Sequence, residues 1–202
     1  MHFVGGDALH DLRWARDEAL FHWLNGGAHP ALDAAARIAS SRLFCFGILA
    51  LAELWVLARR RASGVGWVLA ATAAIIATDT LGARILKPWF GRFRPCYALP
   101  AAQVQVLVFA GNSGSMPSLH SATAFAAATV LSFERPRFSP VYFGIAALIG
   151  WSRIREGVHW PSDVAAGALL GLLLGVGAWL LLKGAHQLRV HCRSKLPARA
   201  VP

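Results

Sequence analysis

The sequence is poor in charge and poorest in acid. Asp, Glu, Lys and Arg make up 15% of its 202 residues, against 56% that are hydrophobic, and ten acidic side chains face twenty basic ones. Soluble domains carry about 25% charged residues, so this composition argues against an ordinary soluble domain and puts a membrane protein first. Cysteine is scarce too. Cys45, Cys96 and Cys192 fall in an apolar run, a loop and the tail, which gives no disulfide framework. The first twenty residues mix Asp7, Asp11, Arg13, Arg16, Asp17 and Glu18, so no signal peptide is expected and the first spanning helix would direct insertion. No internal repeat is visible, and no motif specifies an oligomeric state.

What the chain has instead is a series of apolar runs. Segments 43–58, 65–83, 119–133, 140–151 and 164–182 approach the roughly 20 residues that cross a hydrocarbon core of about 30 Å. The third and fourth are short and need flanking residues and neighbouring helices to complete them. The expectation is an all-α polytopic transmembrane bundle of five spans, with amino-terminal interfacial helices over 1–42, the bundle over 43–183 and a basic cytoplasmic tail over 184–202. A sixth span near the amino terminus is disfavoured, because Asn25, Gly26, Gly27, His29 and Pro30 interrupt the apolar pattern midway. Leu20, Phe21, Trp23, Leu24 and segment 31–38 read instead as helices lying on the membrane.

The net charge of +10 raises nucleic acid as a partner, but the cations are scattered between apolar runs and not gathered on one face, so no nucleic acid is expected. Membrane orientation accounts for them better. Arg59, Arg60 and Arg61 follow the first run, Arg135 and Arg137 the third, and Lys183, Arg189, Arg193, Lys195 and Arg199 the fifth, which puts all three groups on the cytoplasmic side. The other loops, facing the periplasm or the exterior of a plasma (inner) membrane, still carry Arg84, Lys87, Arg92, Arg94, Arg153 and Arg155. That excess defies the positive-inside bias and calls for another reason. Within the runs, Gly167, Gly171 and Gly175 recur every four residues and mark a helix face for close packing. Glu53 and Asp79 are costly there: Glu53 can snorkel or pair towards Arg59–Arg61, and Asp79 can pair with Arg84 or Lys87.

Three segments on the outer side carry chemistry. Lys87-Pro-Trp-Phe-Gly-Arg-Phe-Arg94-Pro95 closes the second run with three cations and two prolines to end the helix. Arginine forks and a lysine point charge suit a multiply charged anion, or equally a lipid headgroup. Ser115-Met-Pro117-Ser118-Leu119-His120-Ser121 opens the third run, where the free N–H groups of a helix start favour an anion and Ser118 can add a hydroxyl. Ser152-Arg153-Ile-Arg-Glu-Gly-Val-His159-Trp-Pro-Ser-Asp163 joins the fourth and fifth runs. His159 and Asp163 are four positions apart, spacing at which a carboxylate can hold an imidazole on one face of a helix's first turn. Each segment alone has a structural explanation as good as its catalytic one.

Together they form the ordered pattern K-x6-R-P, P-S-x-H, S-R-x5-H-x3-D, and here the chain resembles the type 2 phosphatidic acid phosphatase superfamily. In its order of spans it is similar to the family's small bacterial undecaprenyl-diphosphate phosphatases. The resemblance covers Lys87 to Asp163. It implies that Lys87, Arg94 and Arg153 bind phosphate with Ser118 and the Leu119 backbone, that His159 attacks phosphorus, that Asp163 orients it, and that His120 protonates the leaving group. It implies a phosphohistidine intermediate. Leu119 stands where the family often has glycine, and its side chain would narrow the pocket.

Trp89, Phe90, Phe93, Trp151 and Trp160 flank these segments, an aromatic set suited to headgroup depth, so a lipid phosphate is the expected substrate and membrane lipids the expected surroundings. Arg92 and Arg155, beyond the three signature cations, favour a diphosphate such as undecaprenyl diphosphate over phosphatidate, phosphatidylglycerol phosphate or the phosphates of lipid A. No carboxylate cluster accompanies the cations, so neither metal nor cofactor is expected. A transporter would gather its charges near the midplane, often in two related halves. A vanadium haloperoxidase shares the signature, but those are soluble.

Overall fold

In the computed structural model, which describes residues 11, 13–111 and 113–194, the protein is all-α, with no β-strand among the described residues. Two helices lead, α1 (Ala15–Asn25) and α2 (Pro30–Ser40). They are followed by α3 (Arg42–Arg60), α4 (Val65–Leu81), the short α5 (Lys87–Phe90) and α6 (Pro95–Ala98), then α7 (Leu119–Glu134), α8 (Ser139–Arg155) and α9 (Pro161–Ser194). Of the expected tail 184–202, only the part that continues α9 lies within the described residues.

Helix α7 is the centre, packed on α4, α8 and α9. Its partnership with α9 depends on the glycine stripe. A Cβ at Gly167 would meet the Ser118 carbonyl, at Gly171 the Ala122 carbonyl, and at Gly175 the Thr129 side chain. Bare backbone therefore lets the two helices approach closely, as the spacing implied. Behind this seam Ala70, Ala71, Ala74, Ala126 and Val130 form a buried cluster of mostly small residues.

The outward surface is apolar. Leu43, Phe46, Leu51 and Leu54 on α3 and Leu169, Leu173 and Leu181 on α9 are all more than half exposed, the inverse of a water-facing bundle. By itself, one helix among the described residues, Pro161–Arg189, is long and apolar enough to cross a membrane. The 16 residues of α7 and 17 of α8 extend about 24 to 26 Å at 1.5 Å per residue, short of a full hydrocarbon core. At the end carrying Arg59 to Arg61, Glu134 is buried and pairs with Arg60 at 2.8 Å and Arg135 at 3.3 Å.

Three local expectations change. Pro88 does not end the second helical run. The chain goes on from α4 through a π-helical turn, Gly82–Leu86, into α5, and stops at Gly91, whose φ of 52° is left-handed. Proline is tolerated there because it opens a new helical turn, where a missing N–H is least costly. Second, α1 and α2 do not merely rest at an interface; they dock on the ends of α8 and α9. Asn25 donates to the carbonyls of Ile154 and Arg155 at 3.2 and 2.9 Å, and Phe21 packs on Trp160 with ring centres 5.2 Å apart. A helix that buries Asp17 and Asn25 needs protein partners for them, which lipid cannot supply. Third, Glu53 accepts from Thr72 on α4 at 3.3 Å, whereas Asp79 forms no ion pair with Arg84 or Lys87 among the described residues and borders the cavity described below.

The α7–α9 seam gives a direct test. Gly171→Ala should cost about 1–3 kcal/mol by forcing a methyl group into a closed seam. A lowered thermal unfolding midpoint in detergent would show it, while Gly177→Ala, where the added Cβ meets nothing within 4 Å, should leave the midpoint unchanged.

Candidate functional site

Where α5, the 99–118 loop and the facing ends of α7, α8 and α9 converge, the chain encloses one end of a cavity of about 1190 Å³. Lys87, Arg94, Leu119, His120, Arg153 and His159 all border it. The three segments singled out in the sequence thus meet in space. Farther along, Phe46, Leu49, Ile75, Ile76 and Ala127 give the cavity apolar walls, and Arg42, Asp79, Thr80 and Thr123 add polar groups between the two.

Each cation is held by the chain. The Lys87 ammonium donates to the Gly114 carbonyl. Arg94 donates to the Ser113 carbonyl at 3.2 Å, the Ser113 hydroxyl at 3.1 Å and the Val158 carbonyl at 3.1 Å. Arg153 pairs with Glu156 at 2.6 Å, while its buried Nε has no hydrogen-bond partner among the described residues. Burial, and the neighbouring Arg153 cation, push the Arg94 pKa down from its ordinary value. Burial likewise pushes Glu156 up, opposed by its Arg153 partner. Three crowded cations repel one another, and an anion among them relieves that repulsion.

His159 lies in the loop before α9, 3% exposed. Arg94 Nη1 stands 3.2 Å from its Nε2, and Asp163 Oδ2 lies 3.4 Å from its Nδ1. Arginine can only donate, so this contact requires a lone pair on Nε2 and places the ring proton on Nδ1, towards the carboxylate. Burial, then the charges of Arg94, Lys87 and Arg153, hold the His159 pKa well below the ordinary histidine value. The ring is therefore neutral at neutral pH, with the Nε2 lone pair turned towards Arg94. Asp163 has no exposed surface and also accepts from the Trp160 N–H at 2.8 Å, from Arg92 at 2.8 Å and from the Ser115 hydroxyl.

The remaining sequence candidates divide. His120 shares the cavity at the start of α7. Leu119 leans its Cδ2 against Gly82 and also borders the cavity. The Ser118 hydroxyl is buried without a partner among the described residues, as a ligand donor would be, but is not on the cavity wall. Arg92 and Arg155 depart from expectation. Arg92 has no exposed surface and pairs with Asp17 at 2.6 Å and Asp163 at 2.8 Å. Arg155 pairs with Asp33 and donates to the carbonyls of Asn25, Gly26 and Gly27. Both cations hold the amino-terminal helices in place and border no substrate space, which removes the diphosphate argument built on them. Asp17, Ser113, Ser115 and Glu156 were missed. Ser115 and Glu156 stand inside the quoted segments, but spacing does not mark them as partners of Asp163 and Arg153.

Comparison with known proteins is decisive here, for residues 64–186 match the PAP2 superfamily. The chain belongs to that superfamily. A lipid A 1-phosphatase of Rhizobium johnstonii is 35% identical over 74% of this chain and 61% of its own length, so the chain spans less than two thirds of that relative. The solved structure of Aquifex aeolicus LpxE is 33% identical, with a TM-score of 0.66 over 82% of this chain and 96% of that one. A transmembrane PAP2 type phosphatidylglycerolphosphate phosphatase from Bacillus subtilis is 25% identical, with a TM-score of 0.61 over 92% of this chain and 88% of that one. The PAP2 match leaves α1, α2 and α3 outside it.

The depressed His159 pKa has a sign that can be checked. A ring that stays neutral as pH falls keeps its lone pair below the usual histidine range, so, if that lone pair serves the reaction, the acid limb of kcat/KM should lie below pH 6.5 after correction for ionisation of the substrate phosphate. An acid limb at or above that value would contradict the buried, cation-flanked geometry.

Proposed function

We propose that this PAP2 protein hydrolyses a phosphate monoester on a lipid through a phosphohistidine intermediate. The observation that carries the proposal is the His159 ring, with its Nε2 lone pair facing the Arg94 guanidinium in the cavity and its Nδ1 facing the buried Asp163. Nε2 attacks in line, the P–O bond to the lipid breaks, and His120 gives the departing oxygen its proton. Lys87, Arg94 and Arg153, with the Ser118 hydroxyl and the Leu119 N–H, stabilise charge on the equatorial oxygens. Asp163 stabilises the cationic phosphoimidazole until water, giving a proton back to His120, attacks phosphorus, breaks the P–N bond and releases inorganic phosphate and neutral His159. A dianion among the three cations favours the proton that His120 must carry. The chemistry asks for no metal or cofactor, so turnover is expected to persist in EDTA.

The apolar walls that extend the cavity from the cations support a lipid substrate. Bundle length and exposed apolar faces favour five spans in the plasma (inner) membrane, with the basic ends cytoplasmic and the site facing the periplasm or exterior. Among lipid phosphates a lipid A-type saccharide phosphate ranks first. The relatives include lipid A phosphatases, and Asp79, Thr80 and Thr123 offer hydrogen-bonding groups for a hydroxylated head beside the cations. Undecaprenyl diphosphate drops behind, since Arg92 and Arg155 are committed to protein partners.

The test is phosphate release from lipid A, phosphatidate, phosphatidylglycerol phosphate, undecaprenyl phosphate and undecaprenyl diphosphate, in one detergent, with and without EDTA. Lipid A should be turned over fastest, and His159→Ala should abolish release from every substrate. Near-normal activity in His159→Ala would sink the mechanism, and faster turnover of the diphosphate would reverse the substrate order.

A further inference from the structure

One group of charges beside the site takes no part in the reaction proposed above. Arg92 is fully buried, with Nη1 on Asp163 Oδ1 at 2.8 Å and on the Ser162 hydroxyl at 2.6 Å, and Nη2 on Asp17 Oδ2 at 2.6 Å. Its guanidinium lies between the rings of Trp14 and Trp160, 4.4 and 5.1 Å from their centres. Asp17 is 8% exposed and its Oδ1 accepts the Ser162 N–H at 2.8 Å, within the first turn of α9. A carboxylate–guanidinium–carboxylate chain thus runs from α1 to the residue that faces the nucleophile.

Stability alone is a poor account of such a chain. Desolvating three charges is expensive, and apolar replacements of similar volume often serve a fold as well or better. The chain's distinctive effect is geometric. Arg92 occupies Oδ1 of Asp163 and leaves Oδ2 for His159 Nδ1, the Trp160 N–H and the Ser115 hydroxyl. With Oδ1 fixed, the carboxylate cannot turn away from the ring. With a cation against it, a buried carboxylate remains an acceptor. Both conditions keep the His159 proton on Nδ1 and the lone pair on Nε2.

We propose that Asp17 and Arg92 are positioning residues for catalysis, and that α1 is a strut that locks the Asp163–His159 pair in its attacking arrangement. The proposal rests on the phosphohistidine reading above. Arg92 is not on the cavity wall and its Nη1 and Nη2 are spent on Asp163, Ser162 and Asp17, so it acts through Asp163 and not on the substrate. Helix α1 lies outside the PAP2 match, so the strut reaches the matched region from a part of the chain beyond it. A second tie from the same amino-terminal region reaches the opposite side of the site: the Ser40 hydroxyl on α2 donates to Glu156, the partner of Arg153.

A double-mutant cycle on the lipid phosphate that the wild type turns over fastest in the panel above provides the test. Arg92→Ala and Asp17→Asn should each lower kcat by about tenfold or more with KM changed less than about threefold, and Arg92→Lys should recover part of the loss. In an Asp163→Asn background, Arg92→Ala should cost less than about a further threefold, because its target is already gone. Thermal unfolding and elution volume in detergent establish that each variant is folded. If Arg92→Ala does not fold, Asp17→Asn closes the same cycle with Asp163→Asn. Losses that multiply in full, or a raised KM at unchanged kcat, would overturn the strut while leaving the phosphatase reading intact. A wild type that releases phosphate from no panel member would overturn that reading and the strut with it.

Discussion

A carboxylate with no exposed surface, Asp163, is the interaction on which the rest of the site depends. It takes hydrogen bonds from Arg92, Ser115 and Trp160 and faces His159. Those partners come from the end of the α5 segment, the loop before α7 and the entry to α9, so one side chain ties together three stretches distant in sequence. A buried carboxylate tolerates no loss of partners. The need to keep Asp163 satisfied therefore fixes where α9 begins, how the loop before α7 closes, and which way the imidazole points.

The opposite requirement sets the other half of the site. Lys87, Arg94 and Arg153 are each less than 10% exposed and share one cavity, an arrangement that electrostatics opposes. Backbone carbonyls of Ser113, Gly114 and Val158 and the Glu156 carboxylate hold them without cancelling their combined charge. That leaves a surplus of positive charge around a neutral imidazole, which is what a phosphate dianion would complete. The glycine seam between α7 and α9 supplies the rigidity: it sets the ends that carry His120 and Asp163 at a fixed separation.

Much of this was legible in the chain. The apolar runs gave the helices, the four-residue glycine period gave the α7–α9 contact, and the ordered motifs gave the residues that converge on the cavity. The exceptions have physical causes. Motif spacing cannot distinguish an arginine that faces substrate from one that faces a distant carboxylate, so Arg92 and Arg155 read as spare phosphate ligands when they are anchors for Asp17 and Asp33. Pro88 read as a terminator because a π-helical turn leaves no compositional mark. The docking of α1 and α2 was hidden because an Asp or Asn in a half-apolar helix looks like a water-facing residue until its partner is located.

The central claim is that His159 carries the phosphate between lipid and water, and the most direct measurement is to quench the enzyme in alkali during turnover of a lipid labelled at its phosphate and locate the label. One labelled residue is expected, His159, with a bond stable to alkali and labile to acid. Label on another side chain, or turnover with no labelled protein under single-turnover conditions, would contradict it.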